Sequence, residues 1–208
     1  MGIRSRHGRL ISGLVTVLLL PAGAGAGPAT EQLKAHVDQV VQTLDDPALK
    51  APAREAERRQ RLRRVADDLF DWTDTARRAM GRHWRGLTEA QRREFVTLFA
   101  DLLERTYIGR IEQYQGEKIE YVGESGDAEQ KTVGTRIVTK QGTAVPVEYR
   151  MERQDGRWLV YDVLIEGVSL VSNYRTQFDR IILTSRYDTL VSKLRARQEA
   201  HLLEERRR

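Results

Sequence analysis

The sequence predicts an α+β protein in which helices pack on one face of a twisted, four-stranded antiparallel sheet. Apolar residues recur at helical spacing through the first half of the chain, and the spacing changes to strict alternation after Gly116. A helical pattern returns after Gly167. Strands that follow one another through short turns pair most simply as an antiparallel sheet, so this order of elements favours helices on one sheet face.

The helices are predicted from apolar stripes and from signals that begin or end them. The first stripe covers residues 30–44 and ends at Asp46-Pro47, and further helical segments cover residues from Pro52 onward and 72–84. The next helix has the clearest start, because Thr88 and Gln91 have the spacing of a capping box. Its apolar stripe is wide and consists of Phe95, Leu98, Phe99, Leu102, Leu103, Tyr107, Ile111 and Tyr114.

Four strands are predicted between Gly116 and Gly167. They lie near residues 119–121, 133–137, 145–151 and 158–165, and Asp155-Gly156 between the last two is typical of a hairpin turn. The last strand is apolar at both alternating sets of positions, so alternation alone leaves its inward face open.

The first 26 residues have the features of a secretory signal peptide. Three arginines precede an apolar run at 10–20, and small residues at 22–26 offer cleavage sites. We expect cleavage to leave residues 27–208 as a single domain with a charged tail from about Glu204. The sequence contains no cysteine, so the fold has no disulfide to rely on.

The formal net charge of +5 does not predict nucleic-acid binding. Much of the excess lies at the two ends, in the signal segment and in the three terminal arginines at 206–208. Between these ends, acidic and basic residues are interspersed, as on an ordinary solvated surface.

The usual signatures of catalysis and metal binding are incomplete. The segment 167–171 begins like the G-x-S-x-G elbow of hydrolases, but Val171 replaces the second glycine, which favours a helix-capping role for Ser169. His36, His83 and His201 lie too far apart in sequence for a paired-histidine metal motif. We therefore predict no catalytic residue, metal or cofactor.

The junction between the last strand and the closing helix carries a specific motif. Residues 161–170 read Y-D-V-L-I-E-G-V-S-L, and residues 173–178 continue with N-Y-R-T-Q-F. Upstream, residues 87–95 read L-T-E-A-Q-R-R-E-F, and Thr106-Tyr107 follow. In these segments the chain resembles the MlaC family, also called toluene-tolerance proteins, over roughly residues 62–194.

This resemblance implies a periplasmic phospholipid carrier that is not an enzyme. Such a carrier shuttles phospholipid between an outer-membrane lipoprotein–porin complex and an inner-membrane ABC transporter with a lipid-binding ring, which maintains outer-membrane lipid asymmetry. The lipid is the cargo, and no cofactor is implied. We expect a monomer with no nucleic-acid partner.

A soluble carrier must shield both acyl tails from water. Exposing about 30 methylene groups costs on the order of 20 kcal/mol, so a deep apolar pocket between helix and sheet is expected. Its predicted wall is Phe99, Leu102, Leu103, Tyr107, Ile137, Val147, Tyr149, Met151, Val160, Leu164, Val168 and Tyr174. Each of these side chains is also compatible with simple core packing.

Two other functions are compatible with the same sequence. A small α+β isomerase or hydrolase would use Asp162, which lies in an apolar strand, as its base, but it would need a second polar group that the sequence does not identify. A periplasmic adaptor without a ligand would bind proteins through apolar surface and would have a filled core.

Overall fold

The computed structural model describes residues 27–205, which form helices around one antiparallel sheet. Four helices precede the sheet: α1 (Pro28–Asp45), α2 (Glu55–Leu69), α3 (Trp72–Met80) and α4 (Glu89–Glu112). The strands are β1 (Lys118–Gly126), β2 (Gln130–Val138), β3 (Ala144–Gln154), β4 (Arg157–Ile165) and β5 (Val168–Ser169). Helix α5 (Leu170–Glu205) follows. The α+β fold is therefore confirmed, whereas the predicted signal peptide lies outside the described residues.

The sheet has five strands in the order β1-β2-β3-β4-β5, so the predicted number of four is corrected. Glu166 and Gly167 both have positive φ, at 52° and 79°, which reverses the chain within two residues. Val168 and Ser169 then pair with Ile165 and Leu164 as the short fifth strand. A strand of two residues has no alternation, so sequence patterns do not reveal it.

A β-bulge determines which side chains of β4 face the core. The pairing with β3 shifts register at Tyr161, which has no partner in the ladder. As a result Val160 and Val163, three residues apart, both pack in the same apolar cluster. Asp162 and Leu164 alternate with Val163 and therefore point to the opposite face.

The buried apolar side chains form three clusters. The helix cluster joins α3, α4 and α5 through Ala76, Ala79, Met80, Phe95, Leu98, Phe99, Leu102, Leu103, Val171, Tyr174, Phe178, Leu190, Val191 and Leu194. The sheet cluster joins α1, α2 and the strands through Ala29, Leu33, Leu69, Val133, Val147, Met151, Trp158, Val160 and Val163. The bridging cluster, Leu44, Leu62 and Ile108, connects α1, α2 and α4.

Aromatic rings fix the contact between α4 and α5. The ring of Phe99 lies edge-on to those of Tyr174 and Phe178, with centroids 5.2 and 5.3 Å away. Phe95 also meets Phe178 edge-on, at 5.5 Å. This edge-to-face geometry adds an electrostatic attraction between the rings to the stabilisation that comes from burying them.

The predicted capping box at the start of α4 is confirmed. The Thr88 hydroxyl accepts from the Gln91 amide at 3.3 Å, and the Gln91 side-chain oxygen accepts from the Thr88 amide at 2.9 Å. Two amides that the helix leaves unpaired are thereby satisfied.

Helix α5 is interrupted at Arg186, where φ is 71° and ψ is 166°. The part beyond the break packs on α4: Leu190 and Leu194 are buried in the helix cluster, and the Tyr187 hydroxyl donates to the carbonyl of Gln91 at 3.1 Å. The residue pattern predicts helix on both sides of Arg186 but not the change of direction between them.

The contact between α2 and α4 is largely ionic. Glu112 accepts hydrogen bonds from Arg58 and Arg59, with closest distances of 2.7 and 2.9 Å, and its side chain is only 12% exposed. Along the same two helices, Arg63 of α2 pairs with Glu104 of α4. Burial alone would raise the pKa of Glu112, but the hydrogen bonds from Arg59 and Arg58 hold it below its usual range.

Asp162 ties the last long strand to α5. Its carboxylate is 3% exposed and accepts from the Ser169 hydroxyl at 2.6 Å and from the Val171 amide at 3.1 Å. Arg150 approaches the same carboxylate at 3.3 Å. Because these donors come from β3, β5 and the start of α5, one buried side chain holds three elements together.

Asp162→Ala should lower the free energy of unfolding by about 2–4 kcal/mol, because buried donors lose their acceptor. Urea denaturation measures this loss, and Ser169→Ala, which removes one donor, should cost only about 1 kcal/mol. Wild-type stability in Asp162→Ala would contradict the structural role of the carboxylate.

Glu112→Gln should lower the free energy of unfolding by about 1–3 kcal/mol at pH 7, because Arg58 and Arg59 lose their shared carboxylate. A carboxyl whose folded pKa is depressed stabilises the protein above its usual pKa, and this contribution disappears as the pH falls through the folded pKa. The difference between variant and wild type, measured by denaturation, should therefore shrink below the ordinary pKa of 4.5. A difference that does not change with pH would contradict this account.

The matched control is Glu89→Gln, which removes a carboxylate from the exposed ion pair with Arg93. Its cost should stay below about 0.5 kcal/mol, because exposed pairs are screened by solvent.

Candidate functional site

The predicted wall residues divide between two clusters. The helix cluster contains Phe99, Leu102, Leu103 and Tyr174, with Tyr107 packed against it. The sheet cluster contains Val147, Met151 and Val160, with Ile137 and Tyr149 packed against it. The structure thus brings each group of five together but does not join all of them in one cluster.

The other two predicted wall residues lie outside both clusters. Leu164 is 7% exposed, but the bulge in β4 directs it to the sheet face opposite Val163. Val168 is 57% exposed on β5, where only Ile165 pairs with it. Leu164 therefore points away from the inner sheet face where it was expected to line the pocket. Val168 is exposed because β5 is a short edge strand, and its predicted contact with lipid stays a prediction.

The inner sheet face is covered by α1 and α2. Ala29 and Leu33 of α1 are fully buried in the sheet cluster, and Leu69 of α2 joins them. The wide apolar stripe of α4 packs instead on α3 and α5. The prediction that this stripe faces the sheet across a pocket is therefore corrected: α4 meets α1 and α2 through Ile108 of the bridging cluster.

Three half-buried tyrosines border the clusters. Tyr121 and Tyr149 pack against the sheet cluster, and Tyr107 packs against the helix cluster. Burial raises the pKa of Tyr149 to about 12, and it also raises the pKa values of Tyr121 and Tyr107. Among the described residues, the buried hydroxyl of Tyr121 has no hydrogen-bond partner. These hydroxyl groups therefore lie in surroundings poor in water.

Two clefts open on the surface near the ends of α1. The first has a volume of about 410 Å³ and is lined by Pro28, Gln32, Ala128, Lys131, Arg153, Gly156 and Trp158. The second has a volume of about 430 Å³ and is lined by Leu44, Asp45, Lys50, Arg58, Glu112, Tyr114, Gln115 and Gly116. Neither lining includes a predicted wall residue, but the second reaches Leu44 of the bridging cluster.

The arrangement of polar groups does not favour catalysis. Asp162 is occupied by Ser169, Val171 and Arg150 and serves the strand-to-helix junction. Ser169 caps this junction, since its hydroxyl also accepts from the amide of Ser172 at 3.0 Å. Within residues 27–205, no group of three histidine, cysteine, aspartate or glutamate side chains is placed to hold a metal ion.

Sequence patterns miss several residues of the apolar faces. Val163 is hidden by the bulge, which breaks alternation, and Tyr121 looks like any alternating strand residue although its hydroxyl is buried without a partner. Leu33 carries a visible signal, the first helical stripe, but that stripe does not say which surface it covers.

None of the helices between residues 27 and 205 has the length and apolar character needed to cross a membrane.

Comparison with known proteins agrees with this architecture. The solved structure of a phospholipid-binding protein from Ralstonia solanacearum, in complex with a phospholipid, is similar with a TM-score of 0.73 and 27% identity, covering 84% of this chain and 98% of that one. The intermembrane phospholipid transport system binding protein MlaC of Haemophilus influenzae is 25% identical over 138 residues. The toluene tolerance protein ttg2D of Pseudomonas putida is 24% identical over 119 residues.

The alignments to the two curated relatives cover 62% and 56% of this chain and 64% and 55% of the relatives, less than two thirds of their lengths. The model of the family described as MlaC protein matches residues 34–196. These similarities indicate a binding or transport protein rather than an enzyme. Since the family match spans nearly all of the described residues, this chain belongs to the MlaC family.

Proposed function

We propose that this protein is a periplasmic phospholipid carrier that shuttles its cargo between outer- and inner-membrane complexes. The observation that carries the proposal is the similarity to a solved phospholipid-binding protein with its lipid bound, over 98% of that chain. The signal peptide predicted for residues 1–26 supports the periplasmic location.

The division of the core supports a site for acyl tails between the clusters. The helix cluster and the sheet cluster each have their own buried side chains, and the bridging cluster is a third, separate group of three buried residues between α1, α2 and α4. Residues such as Leu103 and Tyr107 on one side and Ile137 and Tyr149 on the other are suited to contact tails that enter between them. Separating two small clusters requires less disruption than opening one close-packed core.

The Tyr121 hydroxyl supports the presence of a ligand with polar atoms. A buried hydroxyl without a partner costs about 1–3 kcal/mol. The Tyr121 hydroxyl has no hydrogen-bond partner among the described residues. An ester carbonyl at the glycerol end of a phospholipid is an acceptor that would satisfy it.

Val168 pairs with Ile165, which packs against the sheet cluster, so it lies next to the inner sheet face. A valine that is 57% exposed at the strand-to-helix junction presents apolar surface that a tail would cover. Val168 therefore belongs to the proposed site as a contact made when lipid is bound.

The proposed partners are the outer-membrane lipoprotein–porin complex and the inner-membrane ABC transporter with its lipid-binding ring. In this proposal the lipid is cargo, no cofactor or nucleic acid takes part, and the carrier acts as a single domain and a monomer.

The first test is mass spectrometry of organic extracts of the mature protein, purified from a bacterial periplasm without detergent. We expect near-stoichiometric phospholipid with mixed headgroups, because the apolar clusters contact tails rather than headgroups. A protein that is empty, and that remains empty after incubation with liposomes, would refute the carrier function.

The second test is Val168→Glu, which should reduce co-purified phospholipid about tenfold or more, because a carboxylate would have to be desolvated beside the tails. Since Val168 is already exposed, thermal stability should remain close to that of the wild type. The matched control, Leu183→Glu, alters a leucine that is 65% exposed on α5 and should retain its lipid. Equal lipid content in both variants would remove Val168 from the site.

A further inference from the structure

A dense group of arginines lies where α3 ends and α5 begins. Residues 77–93 contain six arginines and one glutamate. We define the basic corner as the arginines that the fold gathers there from α3, the following 3-10 turn at Gly81–Gly86, α4 and α5. Its members are Arg77, Arg78, Arg82, Arg85, Arg92 and Arg175.

Contacts between these elements hold the basic corner together. The Arg175 guanidinium donates to the carbonyl of Arg78 at 2.8 Å, and its side chain passes over Gly81. Arg92 donates to the carbonyls of Trp84 and Arg85, at 3.3 and 3.4 Å. Arg78 lies over the ring of Tyr161 and Arg92 over that of Trp84, so three arginines of the corner, Arg78, Arg92 and Arg175, have backbone or ring contacts.

Carboxylates neutralise only part of this charge. Arg77 and Arg78 share Asp74, and Arg82 pairs with Asp179 at 2.8 Å. Within residues 27–205, Glu152 is the only further carboxylate in an ion pair with the corner, through Arg78. Arg85 and Arg175 are exposed and have no ion pair among the described residues. The six arginines have three carboxylates as ion-pair partners, so a net positive surface remains.

The chemistry of the basic corner fits an acidic protein surface better than a membrane. Planar guanidinium groups match carboxylates in paired hydrogen bonds, and arginine and tryptophan are enriched at protein interfaces. Binding to a membrane surface usually adds inserted apolar side chains. The exposed large apolar residues of the described part are Ile111, Val122, Val168, Leu183, Leu202 and Leu203, all outside the corner.

We propose that the basic corner is the docking surface for a carboxylate-bearing face of one of the membrane complexes that exchange lipid with this carrier. This inference rests on the proposed function and adds the surface and the chemistry of recognition. Docking through surface charge accelerates encounter and is weakened by salt.

The test compares two triple variants of equal charge. Arg82→Gln, Arg85→Gln and Arg175→Gln neutralise the corner, while Arg64→Gln, Arg110→Gln and Arg197→Gln remove three exposed arginines elsewhere. Each mature protein is titrated against the purified outer-membrane complex and the purified inner-membrane complex of the same bacterium, at low and at physiological ionic strength. Phospholipid content is measured on the same preparations.

We expect the corner variant to bind at least one complex about tenfold more weakly at low salt, with a smaller salt dependence. The control variant should bind within about twofold of the wild type. All three proteins should carry the same amount of lipid, because the corner lies outside the proposed tail site.

Equal binding by the two variants would overturn the docking surface while leaving the carrier function intact. The proposal would also fail if the wild type bound phosphatidylglycerol vesicles through the corner and bound both protein complexes without it. A wild-type protein that carries no lipid would refute the proposed function itself, so the two failures are distinguishable.

Discussion

The hydrogen bonds of Asp162 are the interaction on which the rest of the structure depends. This one buried carboxylate is approached from β3, from β5 and from the first turn of α5. The sheet cluster lies on one side of this junction and the helix cluster begins on the other, at Val171. A carboxylate so placed stabilises the fold only because each of its oxygens has a donor; with one partner removed, the remaining buried polar groups would be left unpaired.

The two main clusters are built by different physical means. Aromatic rings such as Phe99 and Phe178 pack edge-on in the helix cluster, whereas aliphatic side chains such as Val147 and Val160 fill the sheet cluster. Within residues 27–205, the two clusters have no buried residue in common. In the proposed function this division is useful, because cargo held between two stable units would not have to replace the core of either one.

Local signals in the sequence predict local structure well. The capping box at Thr88 and the turn at Asp155-Gly156 depend on neighbouring residues, and both are present. The face to which a side chain points, and the element that covers it, depend on features that no short sequence pattern contains. The bulge in β4 exchanges Val163 for Leu164 on the inner face, and the sheet is covered by α1 rather than by the wider stripe of α4. The strand-to-helix motif identifies the family, whereas the side chains that face each other depend on long-range packing.

The ionic contact between α2 and α4 has a thermodynamic consequence. Glu112 and its two arginines, with the pair Arg63–Glu104, form the ionic contacts of this interface, and Leu62 and Ile108 supply its apolar part. Separation of α2 from α4 would expose charged groups to water but would expose little apolar surface. The heat-capacity change of such an opening is therefore small, since that quantity follows the apolar area exposed. The enthalpy and entropy of separating α2 from α4 would then change little with temperature, unlike those of separating two apolar surfaces.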